Sequence, residues 1–205
     1  IWFSKSTDGG ETFDDPLELS SGAPAEVFHS LATFGNDVYV FTTAITPADD
    51  DMLVDYYFFR SVDGGESFLN AIQVNDEPGV EQVTIDNNTS MAVDQNGNIY
   101  LAWNDGRRAG GNGDIYFAKS TDGGQNFGAN VRVNAEGSAI ENFEIWKPAV
   151  AADGNGKVYV TFSVDNTDED IDEAYFTRST DGGASFLPEI IIEGFLSHVN
   201  SFDLM

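Results

Sequence analysis

One eight-residue phrase occurs four times in this chain of 205 residues, and it constrains the fold more than any other feature. The copies are STDGGETF from Ser6, SVDGGESF from Ser61, STDGGQNF from Ser120 and STDGGASF from Ser179. The second copy begins 55 residues after the first, and each later copy begins 59 residues after the one before it. Because this period suits one small sheet, the chain is predicted to repeat a single structural unit.

Each copy, called an octet below, has the composition of a tight turn. Its aspartate is able to accept hydrogen bonds from backbone N–H groups, and its two glycines tolerate positive φ. The phenylalanine at the end is predicted to pack beneath the turn. We assign this structural role to Ser6, Asp8, Gly10, Phe13, Ser61, Asp63, Gly65, Phe68, Ser120, Asp122, Gly124, Phe127, Ser179, Asp181, Gly183 and Phe186.

The stretches between the octets repeat as well. SMAVDQNGNIYLAWND from Ser90 parallels AVAADGNGKVYVTFSVD from Ala149, and each is typical of two β-strands joined by an Asn/Gly turn. A further strand precedes each octet and another follows it, so one period contains four strands, a to d. No segment has sustained helical spacing of apolar residues, and the sequence therefore predicts an all-β fold.

The pattern S-x-D-G-G-x-x-F resembles the Asp-box, also called the BNR repeat, of sialidases and related β-propellers. Its four copies in one phase cover nearly the whole chain. The resemblance implies a β-propeller of four-stranded antiparallel blades in which the octet is the turn between strands c and d. It also implies that the octets lie opposite the active site and have a folding role.

The strand pattern divides residues 1–205, a single β-propeller region, into blades. A partial blade at 1–20 is followed by blades at 28–75, 89–134 and 147–193 and by the first strand of another at 197–205. An incomplete blade leaves a strand edge unpaired, which a closed ring avoids. We therefore expect a larger propeller of six or more blades, whose remaining blades are partners of this region.

The charge of the chain restricts its partners. Asp and Glu number 35 and Lys and Arg 9, which gives a net charge of −26 that repels nucleic acid and anionic lipid. No apolar run is long enough for a membrane helix, so membrane insertion is not expected. We expect a glycan or an extracellular protein as partner and a secreted or cell-surface location, with the export signal outside these 205 residues.

Strand direction predicts which face of the propeller carries the function. Successive strands alternate in direction, so the a-to-b turns and the octets share one face and the b-to-c and d-to-a connections share the other. The long irregular segments all belong to the second set, and loops carried on rigid strands are the usual place for binding. We expect ligand binding on this second face.

The segment WNDGRRAGGNGD is the first candidate site on that face. It contains Trp103, Asp105, Arg107, Arg108 and Asp114. Guanidinium groups bind carboxylates bidentately, which favours an acidic sugar as ligand. The alternative is that the arginines neutralise neighbouring aspartates.

Glu144 and Trp146 form a second candidate, just before a predicted strand a. An exposed Trp ring beside a carboxylate suits the stacking of a sugar, whereas the alternative is that the ring fills a gap between blades.

His29 and His198 share one phase of strand a in distant blades. That separation is too large for one metal ion, so polar packing is the better interpretation.

The acidic run DNTDEDIDE is a candidate metal site. Asp165, Asp168, Asp170 and Asp172 supply the hard oxygen ligands that Ca²⁺ prefers. The run lacks the spacing of an EF-hand, and the alternative is a solvated acidic loop. Ca²⁺ is the only cofactor that the sequence suggests.

The resemblance to sialidases also allows a test for catalysis. That family uses three arginines from separate blades, a Tyr with a Glu partner and an Asp, whereas this chain offers Arg107 and Arg108 from a single loop. An acidic residue precedes a Tyr in every full blade, as in the pair Asp114 and Tyr116, which indicates a structural role. We assign no catalytic residue and expect a recognition module. The alternative is a portion of an exo-sialidase or related glycoside hydrolase whose other catalytic residues lie outside this chain.

Overall fold

The fold is described by a computed structural model. It covers residues 1–48, 51–78, 80–81, 89–107, 113–137, 140, 144–166 and 171–192. These residues form strands, turns and loops. Among them there is no helix of the length and apolarity that a membrane crossing requires.

Within the described residues the strands follow one another at intervals that match the repeat. In chain order they are β1 (Trp2–Phe3), β2 (Leu17–Glu18), β3 (Ala25–Phe34), β4 (Asp37–Ala48), β5 (Asp51–Ser61), β6 (Ile72–Gln73), β7 (Val80–Glu81), β8 (Thr89–Val93), β9 (Ile99–Asp105), β10 (Asp114–Ser120), β11 (Val131–Arg132), β12 (Glu144–Ala152), β13 (Val158–Asn166), β14 (Ile171–Ser179) and β15 (Ile190–Ile191).

The strands pair into antiparallel sheets in the order of the chain. The first sheet contains β1 and β2, and the second has the order β3-β4-β5-β6, with β7 pairing the far end of β5. The third sheet has the order β8-β9-β10-β11 and the fourth β12-β13-β14-β15. The predicted all-β fold of four-stranded antiparallel sheets is confirmed.

Alternation along the strands explains how the sheets stack side by side. In β5, Tyr56 and Phe58 point into a cluster shared with the third sheet, whereas Tyr57 and Phe59 point into a cluster shared with the first. Successive side chains of a strand face opposite sides, so a strand between two neighbours is apolar on both faces. In β9 all seven residues are buried for this reason.

The a strands β3, β8 and β12 lie next to one another. The Ser30 hydroxyl donates to the Thr89 carbonyl at 3.1 Å, and the Val150 N–H donates to the Ser90 hydroxyl at 3.1 Å. These contacts join β3 to β8 and β8 to β12. The inner edges of three sheets therefore meet, as the blades of a propeller do.

Hydrogen bonds between turns define the two faces of the assembly. In the second sheet, Gly64 of the octet donates to the Asn36 carbonyl of the β3–β4 turn at 2.9 Å. In the fourth sheet, Gly182 donates in the same way to Gly156 at 2.8 Å. The a-to-b turns and the octets therefore share one face, called the octet face, and the opposite side is called the loop face.

Each octet is closed by the same hydrogen bonds. In the second octet, the Ser61 hydroxyl donates to Asp63 Oδ1 at 2.7 Å and accepts from the Gly65 N–H at 2.8 Å. Ser67 donates its hydroxyl to Asp63 Oδ2 at 2.6 Å and its N–H to Oδ1 at 3.0 Å. Led by the Ser67 hydroxyl, these bonds lower the pKa of Asp63 to about 2. The charged form of the aspartate therefore holds the turn.

The octets also join neighbouring sheets, which the sequence did not indicate. The ring of Phe127 packs edge-on against Phe58 of the preceding sheet, with centroids 4.9 Å apart. Arg60 of that sheet donates to the Gly123 carbonyl at 2.7 Å. Phe68 and Phe186 make the same ring contact with the preceding sheets.

The predicted packing of the octet phenylalanines therefore also includes the preceding sheet, which three of the four rings contact. Phe13, in the first octet, is 66% exposed. No described sheet precedes it.

Candidate functional site

Arg107, the first candidate for carboxylate binding, is already bound to a carboxylate of its own loop. Its side-chain Nε donates to Asp105 Oδ1 at 3.0 Å, and its backbone N–H donates to the same oxygen at 2.9 Å. Its Nη2 donates to Asp105 Oδ2 at 2.7 Å. This is the bidentate geometry expected for a ligand carboxylate, but a buried aspartate occupies it. The side chain of Arg107 is 7% exposed.

The rest of the guanidinium joins the second sheet to the third. Nη1 contacts Asp76, Nη2 donates to Asn130 at 3.0 Å, and the guanidinium carbon lies 4.0 Å from the centroid of the Tyr116 ring. Burial opposes the charge, yet the hydrogen bonds and charges of Asp105 and Asp76 raise the pKa of Arg107 above its ordinary value. The structure therefore supports the alternative, in which Arg107 neutralises neighbouring aspartates.

Trp103, predicted to contact a ligand, is fully buried. Its ring lies 5.5 Å from that of Tyr56, between the second and third sheets, and its Nε1 donates to Asp105 at 3.0 Å. Since β9 is covered on both faces, an indole on this strand does not reach the surface. Trp103 is therefore a packing residue that also holds Asp105 in place.

Asp114 is enclosed as well. It is 0% exposed, accepts from Asn134 Nδ2 at 2.7 Å, and lies 2.9 Å from Arg132 Nη2. Asn75 makes the same contact with Asp55 one period earlier, at 2.9 Å. This repetition identifies a structural bond between strands c and d. Arg108 lies outside the described residues.

Trp146, a candidate from the sequence, is partly exposed, and its neighbour Lys147 is exposed. They lie at the loop-face end of β12, the inner strand of the fourth sheet, where the ladder passes from Trp146–Ser163 to Ala149–Thr161 through a bulge. Pro148 lacks the N–H that a regular ladder needs, which accounts for the irregularity. Glu144 pairs with Asp165 in the backbone of the same strands, and its side chain lies outside the described part.

The geometry of this bulge is unusual. Lys147 has φ of +49°, which L-residues with side chains rarely adopt, and its ammonium lies 4.3 Å from the centroid of the Trp146 ring. The Trp146 Nε1 is buried and has no hydrogen-bond partner among the described residues. Strained backbone and unpaired polar atoms are concentrated at functional sites. Trp146 was among the sequence candidates, whereas Lys147 was missed.

The inner strand of the second sheet is irregular at the corresponding place. Its ladder shifts between Val27 and His29, and His29 is exposed. A bulge at the same phase in two sheets is therefore a recurrent feature of the inner strands. His198 lies outside the described residues.

The structure describes only part of the candidate metal site. Asp168 and Asp170 fall outside it, and only the backbone of Asp165 and Asp172 is described, where the two residues pair across β13 and β14. Among the described residues no group of three or more His, Asp or Glu side chains is arranged to hold a metal ion.

The tyrosines that follow the acidic residues are poorly suited to act as nucleophiles. Burial, together with the hydrogen bond to Glu173, raises the pKa of Tyr175 to about 12. Burial also raises the pKa of Tyr57 and of Tyr116, although Arg107 opposes the shift at Tyr116. A nucleophilic tyrosine needs a neighbouring base that favours the phenolate, and these surroundings favour the neutral phenol.

Comparison with solved structures identifies the architecture. No family model and no curated protein matches the sequence. An α-L-arabinanase of Penicillium chrysogenum, complexed with arabinobiose, aligns with a TM-score of 0.62 at 16% identity over 88% of this chain and 53% of its own. A Hadza microbial sialidase gives 0.58 at 16% identity over 80% and 37%. An ulvan lyase gives 0.59 at 14% identity over 93% and 49%.

This chain spans about half the length of the first of these proteins and less of the sialidase. At such low identity the likeness shows the fold alone, and hydrolases and a lyase share that fold. The described residues are a β-propeller region built from four-stranded antiparallel blades.

Proposed function

We propose that this propeller region recognises glycans on its loop face without hydrolysing them, and that Trp146 and Lys147 make the contact. The observation that carries the proposal is the position of the Lys147 ammonium, which is exposed over a partly exposed Trp ring. Lys147 forms no ion pair with any described residue. In a chain of net charge −26, such a cation is an attractive point for the carboxylate of an acidic sugar.

Two features support recognition over hydrolysis. The guanidinium of Arg107 is enclosed by Asp105, Asp76 and Asn130 and is not offered to a substrate. The tyrosines next to acidic residues have raised pKa values, which opposes a nucleophilic role. The similarity in fold to an arabinanase, a sialidase and an ulvan lyase supports a carbohydrate as the ligand, because all three are named for carbohydrate chemistry.

The rival proposal is that this region is part of a glycoside hydrolase. It is favoured by the coverage of about half the length of the arabinanase, which leaves room for catalytic residues in other blades. In either case we propose that the protein acts outside the cell, at its surface or after secretion. Immunodetection of the full-length protein in culture medium and on intact cells tests this location.

A glycan array and a fluorogenic sialoside assay on the full-length protein test the proposal together. Recognition predicts binding to acidic glycans and no turnover. Lys147→Ala is expected to weaken that binding about tenfold. Lys157→Ala is the matched control, since it removes the same charge from an exposed turn on the octet face.

Two results would contradict the proposal. Sialoside turnover by the full-length protein would favour the hydrolase. Equal weakening by Lys147→Ala and Lys157→Ala would show that net charge, and not the loop-face bulge, determines binding.

A further inference from the structure

The outer parts of neighbouring sheets are joined by a repeated contact, called the rim latch below. The residue ten positions after the first serine of an octet reaches back to the preceding sheet. The side chain of this residue accepts a hydrogen bond from a backbone N–H of the preceding sheet. The donor is the residue fifteen positions after the first serine of the preceding sheet's own octet. Asn130 accepts from Asp76 at 2.9 Å, and Glu189 accepts from Ala135 at 2.8 Å.

The latch between the second and third sheets is reinforced by further contacts. Asn130 also donates its N–H to Asp76 at 3.1 Å and its amide to the Val74 carbonyl at 3.0 Å. Arg107 covers both residues and lies on the ring of Tyr116, four positions before the octet. Asp76, Asn130 and Arg107 are therefore bound to one another at this place.

Between the first and second sheets the latch is missing. The corresponding residues are Ala71, whose methyl group accepts no hydrogen bond, and Ser21, whose N–H donates instead to Glu26 at 2.6 Å. A groove of about 380 Å³ lies here, and both residues line it. We call it the rim groove.

The lining of the rim groove combines an aromatic wall with polar groups. Tyr57, the counterpart of Tyr116, lines it together with the buried Phe59. Among the described residues no guanidinium lies over the Tyr57 ring. Glu18, Ser20 and Asn70 provide acceptors and donors around it. The volume falls in the range of small-molecule sites, and an aromatic wall with a few polar groups suits a sugar ring.

The charges of the groove select the class of sugar. No Lys or Arg is among the described residues that line it, and Glu18 adds a carboxylate. In a chain of net charge −26, an anionic ligand would be repelled here. We infer that the rim groove binds a neutral sugar unit, with one face of the ring against Tyr57 and its hydroxyls hydrogen-bonded to Glu18, Ser20 and Asn70.

This site is independent of the function proposed for Trp146 and Lys147. Those residues belong to the fourth sheet, whereas the rim groove is formed by the first and second. The two sites also differ in the charge of their ligand.

Titration of the full-length protein with cellobiose, arabinobiose and glucuronic acid, followed through the ring resonances of Tyr57, tests the inference. We expect saturable shifts with at least one neutral disaccharide and none with glucuronic acid. The variant S21D/A71N, which copies Asp76 and Asn130, restores the latch and should abolish binding while keeping or raising the melting temperature. Tyr57→Ala should weaken binding about tenfold, measured in that variant through the ring resonances of Phe68, which also lines the groove.

Lys147→Ala serves as the control and should leave this titration unchanged, even if it removes binding of acidic glycans. The inference is overturned if neither neutral disaccharide shifts the Tyr57 resonances at tens of millimolar, or if glucuronic acid binds as well as they do. Unchanged binding by a folded S21D/A71N variant would also overturn it.

Discussion

The ring of Phe58, in the second sheet, lies 2.5 Å from the position that a Cβ on Gly124 of the next octet would occupy. Gly124 also has φ of +79°, and Phe127 packs against the same ring. The octet glycine therefore has two roles, since it forms the turn and leaves room for an aromatic ring of the preceding sheet. The repeated phrase fixes both a turn and the contact between blades.

Gly124→Ala is predicted to lower the free energy of unfolding by about 3 kcal/mol. Left-handed backbone and an over-packed contact each contribute about 1 to 2 kcal/mol. Urea denaturation of the purified variant measures the loss. Gly156→Ala is the matched control, because Gly156 has φ of +93° but no atom within 4 Å of its Cβ position. It should lose only about 1 kcal/mol, and equal losses would contradict the packing role.

The strands and the closure of the octets could be predicted because they depend on residues close in sequence. Ser61, Asp63 and Gly65 lie within five positions, and their hydrogen bonds follow from the turn that their side chains favour. The partner of Phe127 could not be predicted in this way. It is Phe58, in the previous repeat, and only the angle between sheets brings the two rings together.

The candidate site was harder to predict for the same reason. Arg107 has the composition of a carboxylate-binding residue, but Asp76 lies 31 positions before it and Asn130 23 positions after it. The signal for Lys147 was local and was overlooked. A lysine between Trp146 and Pro148, at the start of an inner strand, places a cation where proline interrupts the ladder.

Arg107→Ala is predicted to destabilise the fold by about 3 kcal/mol, because it leaves the buried carboxylate of Asp105 without its cation. Thermal and urea unfolding measure the loss. Arg178→Ala is the control, since that arginine is exposed and should change stability by about 0.5 kcal/mol or less. A neutral effect of Arg107→Ala on stability, combined with loss of glycan binding, would instead assign Arg107 to a ligand site.

Calcium binding by the acidic run remains our proposal and predicts a shift in thermal stability. Asp165 and Asp172 pair at the end of β13 and β14, and Asp168 and Asp170 lie between them in sequence. A cation bound only by the folded state stabilises that state by RT ln(1 + [L]/Kd), so the melting temperature rises with the concentration of free cation. Addition of millimolar Ca²⁺ should raise the midpoint and EDTA should reverse the change.

Two variants distinguish a calcium site from general screening of charge. D168N/D170N should abolish the calcium-dependent shift, whereas D14N/D15N, which removes an exposed acidic pair near the first octet, should retain it. An unmoved midpoint in the original protein would contradict calcium binding. An equal response of both variants would show that Ca²⁺ only screens the net charge.

The charged octet aspartates predict a stabilisation that disappears in acid. Hydrogen bonds, led by that of the Ser67 hydroxyl, lower the pKa of Asp63 from 3.8 to about 2. A lowered pKa in the folded state gives stability that is fully present above pH 3.8 and is lost as the pH falls toward 2. Other carboxylates also titrate in this range and relieve the repulsion of 35 acidic residues, so the total stability does not isolate the effect.

The difference in unfolding free energy between the original protein and Asp63→Asn removes that common contribution. Because asparagine keeps an oxygen acceptor but carries no charge, the difference should be constant from pH 7 to about pH 5 and should shrink between about pH 4 and pH 2. Urea unfolding at each pH measures it. Glu11→Gln, at an exposed octet position, is the control and should show no comparable change. A difference that grows with acidification would contradict the assignment, because the octet would then be stabilised by a protonated aspartate.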